Sequence, residues 1–182
     1  MNKEKVITLK QQAKENEYIP HGDVSKADCV IGFSFGYRQE KERIIPGKTN
    51  EQLARFIENN FSSLPLILQF EINDALQERV TDLIIKESRQ KGEYLNSREI
   101  ALQALEFMEV KRWKSAVIVT HPAMEARNDA ICRKLGMMTI LPSGLEAIEY
   151  DMESAQPWTR NRISWWEREE SVIDTCIKYD WI

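Results

Sequence analysis

With 182 residues and a net charge of −4, the chain can bury a full sheet between helices. It is too acidic for sequence-independent nucleic-acid binding, which draws its affinity from Lys and Arg on phosphates. No apolar run approaches the ~20 residues that cross a bilayer, and the opening MNKEKVITLKQQAKENEY lacks the apolar centre of a secretion signal. A cytoplasmic protein is therefore expected, with neither a membrane nor a nucleic acid as partner. Cys29, Cys132 and Cys176 are few and widely spaced, so they read as buried thiols and not as disulfides.

Taken in chain order, residues 1–25 stay unassigned, because Val6, Ile7 and Leu9 suit either a short strand or one face of a helix. Apolar runs then recur at 29–33, 66–68, 83–85, 116–119 and 137–141. Most are continuous, as strands covered on both faces should be. Residues 39–43 read as a solvated, charged loop. Thr49 with Gln52 predicts a capping-box start for a helix carrying Leu53, Phe56 and Ile57. Asn96 with Glu99 predicts a similar start for Ile100, Ala104, Phe107 and Met108. After the fourth run, Pro122 suits a first helical turn and Gly136 a helix stop. The spacing of Trp166, Ile173, Ile177 and Trp181 predicts a C-terminal helix over 158–181, packed on the sheet. Strands alternating with helices make residues 1–182 a single α/β domain. Its sheet is open, mostly parallel and Rossmann-like, of about five strands with helices on both faces.

In such sheets ligands bind beyond the carboxyl ends of the strands. The polar groups there are Gly36, Tyr37 and Arg38, then Gln69 and Glu71, then Glu87 and Ser88, then Thr120, His121 and Arg127. The turn from Thr120 to Pro122 aims helix-terminal N–H groups at one point, with His121 and Arg127 nearby, which suits an anion. Each candidate also has a purely structural role open to it. His121 could cap the helix it precedes, and Arg127 could pair with Glu125 or Asp129 on the surface. Asn96 and Glu99 have the spacing of a cap, and Glu71 could cap a helix or act as a pocket carboxylate, as general base or ribose-hydroxyl acceptor. Trp158, Arg160 and Arg162 open the last helix, where cations sit badly with the dipole and would welcome an anionic partner. Neither the dinucleotide fingerprint nor the phosphate-loop motif occurs, so ordinary nicotinamide or P-loop nucleotide binding is not expected; a carboxylate-bound magnesium stays open without a motif, the cofactor is unknown, and no nucleophile elbow is present. Two histidines, His21 and His121, cannot assemble a multi-histidine metal centre.

Residues from about Ala27 to Gly136 also resemble a known family. Val30-Ile31-Gly32-Phe33-Ser34-Phe35-Gly36, the acid Glu71, Asn96-Ser97-Arg98-Glu99-Ile100, and Val119-Thr120 leading to Arg127 follow the pattern of YdcF/SanA/ElyC-like proteins. A tail with Tyr150-Asp151 and Gln156-Pro157-Trp158-Thr159-Arg160 is similar to that of a shorter, soluble subgroup. Ile100 replaces the second Asn of the helix-start motif, and Met124 stands where many members have His. The resemblance implies a Rossmann-like fold with a polar pocket at the strand ends, in a family of poorly defined activity.

Two functions follow as expectations. In the first, the chain binds an anionic small molecule bearing a nucleotide, phosphate or carboxylate. Glu71 and His121 are the candidate acid–base residues, and Tyr37, Arg38, Asn96, Ser97, Glu99, Thr120, Arg127 and Arg160 the candidate ligand contacts. Hydrolysis or group transfer is the chemistry open to that set. In the second, the chain is a non-catalytic interaction or regulatory module using the Trp-rich C-terminal helix. That helix also admits a homodimer.

Overall fold

Continuous apolar runs leave no polar face for water, and they become the strands of one buried sheet. The computed structural model describes residues 3–15 and 17–182. The sheet strands are β1 (Cys29–Gly32), β4 (Leu66–Gln69), β5 (Leu83–Ile85), β6 (Ser115–Val119) and β7 (Met138–Ile140). They lie in the order β5-β4-β1-β6-β7, and every pairing is parallel. Numbered among themselves these strands run 3-2-1-4-5, so the chain reverses direction across the sheet between β1 and β6. The fold is α/β and Rossmann-like.

The helices are α1 (Lys3–Glu15), α2 (Gly47–Asn60), α3 (Phe70–Asn73), α4 (Ser97–Lys111), α5 (Pro122–Lys134) and α6 (Arg162–Lys178). Alternate strand residues feed the two faces. Val30, Leu66, Leu68, Val117 and Val119 pack with Leu53, Ala54 and Ile57 of α2. On the other face Cys29, Ile31, Ile67 and Ile118 pack with Ala104 and Met108 of α4, Ile131 of α5 and Ile173 of α6. Each of these core residues is buried to 3% exposure or less, which removes on the order of 1.5–3 kcal/mol of apolar surface per large side chain from water.

Within the segment left unassigned at 1–25, residues 3–15 form helix α1, in which Leu9 and Ala13 share one face that docks on the core while Ile7 stays 68% exposed. Residues 1, 2 and 16 lie outside the described part. The charged stretch at 39–43 is exposed as expected, but it folds into a two-stranded antiparallel ribbon, β2 (Arg38–Glu40) against β3 (Arg43–Ile45). The capping box at Thr49 and Gln52 does not form. Helix α2 begins two residues earlier, at Gly47, and the Thr49 hydroxyl donates to the Glu149 carbonyl at 2.8 Å. The last helix starts at Arg162 and not at Trp158: a short 3-10 turn holds Pro157 to Thr159, and Asn161 caps α6 by accepting from the Ser164 amide. At the other end α6 stops at Lys178.

Candidate functional site

Helix α5 begins where its sequence says it should, and His121 gives one ring nitrogen to starting it while Nε2 is buried with no hydrogen-bond partner among the described residues. Nδ1 of His121 accepts from the Ala123 amide at 3.1 Å, and Gly136 ends the helix in the left-handed region at φ 91°. The His121 ring stacks on Phe35 at 4.1 Å between centroids and meets Tyr150 at 4.3 Å. Thr120, His121 and Pro122 are buried, and Thr120 Oγ1 accepts from Asn128 Nδ2. Burial pushes the imidazole down to about 3, so the ring is neutral at ordinary pH. None of the three lines the cleft beside α5 or the groove between α1 and α5, and the turn expected to cradle an anion is buried.

The open space lies to one side of it. A cleft of about 300 Å³ is walled by the loop after β1, the end of β4, the start of α4, one side of α5, and α6 with the turn before it. The β1 loop is fixed by side chains from elsewhere. Gln69 Oε1 accepts from the Ser34 amide at 3.0 Å, and Asn50 Oδ1 accepts from the Phe35 amide at 2.9 Å while its Nδ2 donates to Gly36 O. Gly36 sits at φ 70°, and a Cβ there would come within 2.4 Å of Thr159 Oγ1, so the loop and the 157–159 turn can meet only at a glycine.

Glu71 stands at the start of α3 and borders this cleft at 7% exposure. Its Oε2 has no hydrogen-bond partner among the described residues. Burial pushes the carboxyl up, against the pull of its own amide and of Ser34. Arg127 borders the same cleft, with its Nε donating to Glu169 Oε1 at 2.6 Å and its Nη1 to Ser97 Oγ at 2.8 Å. Burial works against the guanidinium charge, but the facing Glu169 carboxylate holds it above its ordinary value. Arg127 therefore ties α5 to α6 and α4, and it does not pair with Glu125 or Asp129. Arg168 adds a second cation, 4.6 Å from the Trp158 ring centre.

The cleft thus gathers Tyr37, Glu71, Asn96, Ser97 and Arg127 from the sequence candidates. Asn96 caps α4 by accepting from the Glu99 amide and still faces the cleft, so it serves both roles weighed for it. The others sit elsewhere. Glu99 turns away to Arg89, which holds its carboxyl down at about 2. Arg38 is clamped by Asp151, with Nε and Nη2 each 2.7 Å from a carboxylate oxygen. Arg160 donates to the Ser154 carbonyl at 2.7 Å and braces the tail loop. Sequence reading missed Tyr94, Arg168 and Trp181 as site residues; they arrive from a loop, from the last helix and from the segment after it. A helical wheel of α6 would have placed Arg168 one turn beyond Trp165, toward the sheet edge. Trp165 is 2% exposed and Trp166 half-buried, so neither offers the exposed indole that a partner surface would show.

No known family, curated protein or solved structure matches this chain. Among the described residues no cluster of three or more His, Cys, Asp or Glu is placed to hold a metal ion, and no helix is long and apolar enough to cross a membrane.

Proposed function

We propose that the chain binds an anionic small molecule in this cleft, its negative group on Arg127 and Arg168, and that Glu71 moves a proton to or from the bound molecule. The observation that carries the reading is the unpartnered Oε2 of Glu71, which borders the same cleft as the two guanidinium groups. A desolvated carboxyl held above its usual range is suited to moving a proton, and two cations bordering the same cleft supply the charge for a phosphate or carboxylate. Tyr94, Trp158 and Trp181 offer flat apolar area for the rest of the ligand. Hydrolysis or group transfer is the chemistry this set supports. His121, neutral and buried against Phe35, supports the wall and does not touch the ligand.

Membership of a YdcF-like family remains part of the proposal and rests on the motif residues, of which Glu71, Asn96, Ser97 and Arg127 share the cleft. A reducing, cytoplasmic setting suits the three buried free thiols.

Thermal-shift measurements with nucleotides, sugar phosphates and S-adenosylmethionine-like compounds test the reading, since a ligand that binds only the native state raises its melting temperature. At least one anion is expected to do so, and Arg168→Gln is expected to weaken its binding about tenfold in calorimetry. A panel with no shift, or an affinity untouched by Arg168→Gln, overturns the proposal.

A further inference from the structure

Glu125 lies two residues before Arg127 on α5, roughly 200° around the helix, and so faces away from the cleft. It borders a separate groove of about 750 Å³ between α1 and α5. Its side chain is 4% exposed and, among the described residues, makes no hydrogen bond or ion pair, although it opens onto the groove. The other charged groups along the groove are matched. Asp129 lies 3.2 Å from His21 Nε2 and accepts from Arg133 Nε at 3.0 Å, and Lys134 pairs with Asp180 at 2.8 Å. The remaining wall is largely apolar, with Leu9, Ile19, Ala126 and Ala130. One carboxyl group thus stands without a paired cation at the edge of an apolar trough.

We propose that this groove is a second binding site, for an organic cation with an apolar body such as an alkylammonium, whose charged head pairs with the Glu125 carboxylate. A buried carboxylate without a partner must either hold its proton or meet a cation. The apolar wall gives the body of such a ligand surface to cover, and Asp129 adds negative potential one helical turn away. The groups facing Glu125 are Asp129 and Arg133 from α5, and Tyr18 and His21 from the segment after α1. The Tyr18 hydroxyl is committed to the Pro142 carbonyl. Burial first, then Asp129, push the Glu125 carboxyl up to about 8, with Arg133 pulling back. The free carboxyl is therefore protonated at neutral pH, so binding the cation releases that proton, and affinity climbs with pH until about 8.

The test is calorimetric titration of the full chain with hexylammonium chloride near neutral pH, in buffers of different ionisation heat. Saturable binding with proton release is expected. Glu125→Gln, which keeps the shape but not the charge, is expected to weaken it at least about tenfold, and hexanol to bind as weakly. Ala130→Phe, which fills the groove and leaves Glu125 in place, is expected to block hexylammonium, so the outcome does not depend on how well Glu125→Gln folds. Absence of saturable heat up to ~10 mM, hexanol binding as tightly, or hexylammonium binding unchanged in either variant overturns the proposal. The anion cleft plays no part in any of these outcomes.

Discussion

A histidine and a glutamate on the same helix illustrate how burial sets chemistry one residue at a time. His121 and Glu125 both lose most of their contact with water, and each is pushed toward its neutral form, the imidazole down and the carboxyl up. For His121 the linkage has a definite sign. The folded-state value near 3 lies below the ordinary 6.5, so its contribution to stability is complete above about 6.5 and is lost as pH falls toward 3. His121→Asn, which can still cap α5 but does not titrate, is expected to lower stability at neutral pH and to remove roughly 2 kcal/mol of the further loss seen on going to about pH 5. Urea unfolding of both proteins across that range measures it, and parallel curves would remove His121 from the acid response. Arg127 and Glu169 make the opposite case, since their charges are kept inside by facing each other at 2.6 Å. Removing one partner of such a pair strands the other, which is why the cleft's best-placed cation is also a structural tie.

At the scale of elements, the tail loop between β7 and α6 does the work of assembling the site. Asp151 grips Arg38 of the β2–β3 ribbon and accepts from the Lys48 amide at the start of α2. Ser154 Oγ donates to the Tyr37 carbonyl, and Thr159 packs against Gly36. Gly36→Ala would place a methyl group in the left-handed region and against two hydroxyls at once. A loss of at least about 2 kcal/mol is expected in chemical denaturation, together with weaker anion binding, because Tyr37 and Thr159 wall the cleft. Unchanged stability would show that this contact is looser than its geometry. The strands were legible in the sequence because buried parallel strands are continuously apolar. The helix starts were half legible: Asn96 caps as its spacing predicts, but Thr49 is drawn off by the Glu149 carbonyl, a partner one hundred residues away.

Over the whole molecule, stability should grade outward from the sheet centre. Strand β1 has a neighbour on each side and every residue buried, whereas β5 and β7 are edges with Ile84 and Met138 partly exposed. Amide hydrogen exchange is expected to be slowest in β1 and at least about tenfold faster in the edge strands. Edge amides exchanging as slowly as β1 would mean that the sheet opens only as a unit. The candidate sites lie away from this rigid centre, on residues that gather from several elements, and for that reason half of the expected cleft residues lie elsewhere. Thr120 and His121 follow the right strand, but their side chains are needed to start α5 and to stack on Phe35.

From the chain alone, the periods of apolar residues, the Pro122 and Gly136 boundaries and the alternation of strand with helix determine an α/β sheet with its polar groups at one rim. These are local properties, set by which faces must leave water. Which polar groups face open space was decided by tertiary packing, because a side chain at the rim is claimed by whichever partner the fold brings nearest. Asp151 takes Arg38 and Arg89 takes Glu99, while, among the described residues, Glu71 Oε2 finds no hydrogen-bond partner and Glu125 no ion pair.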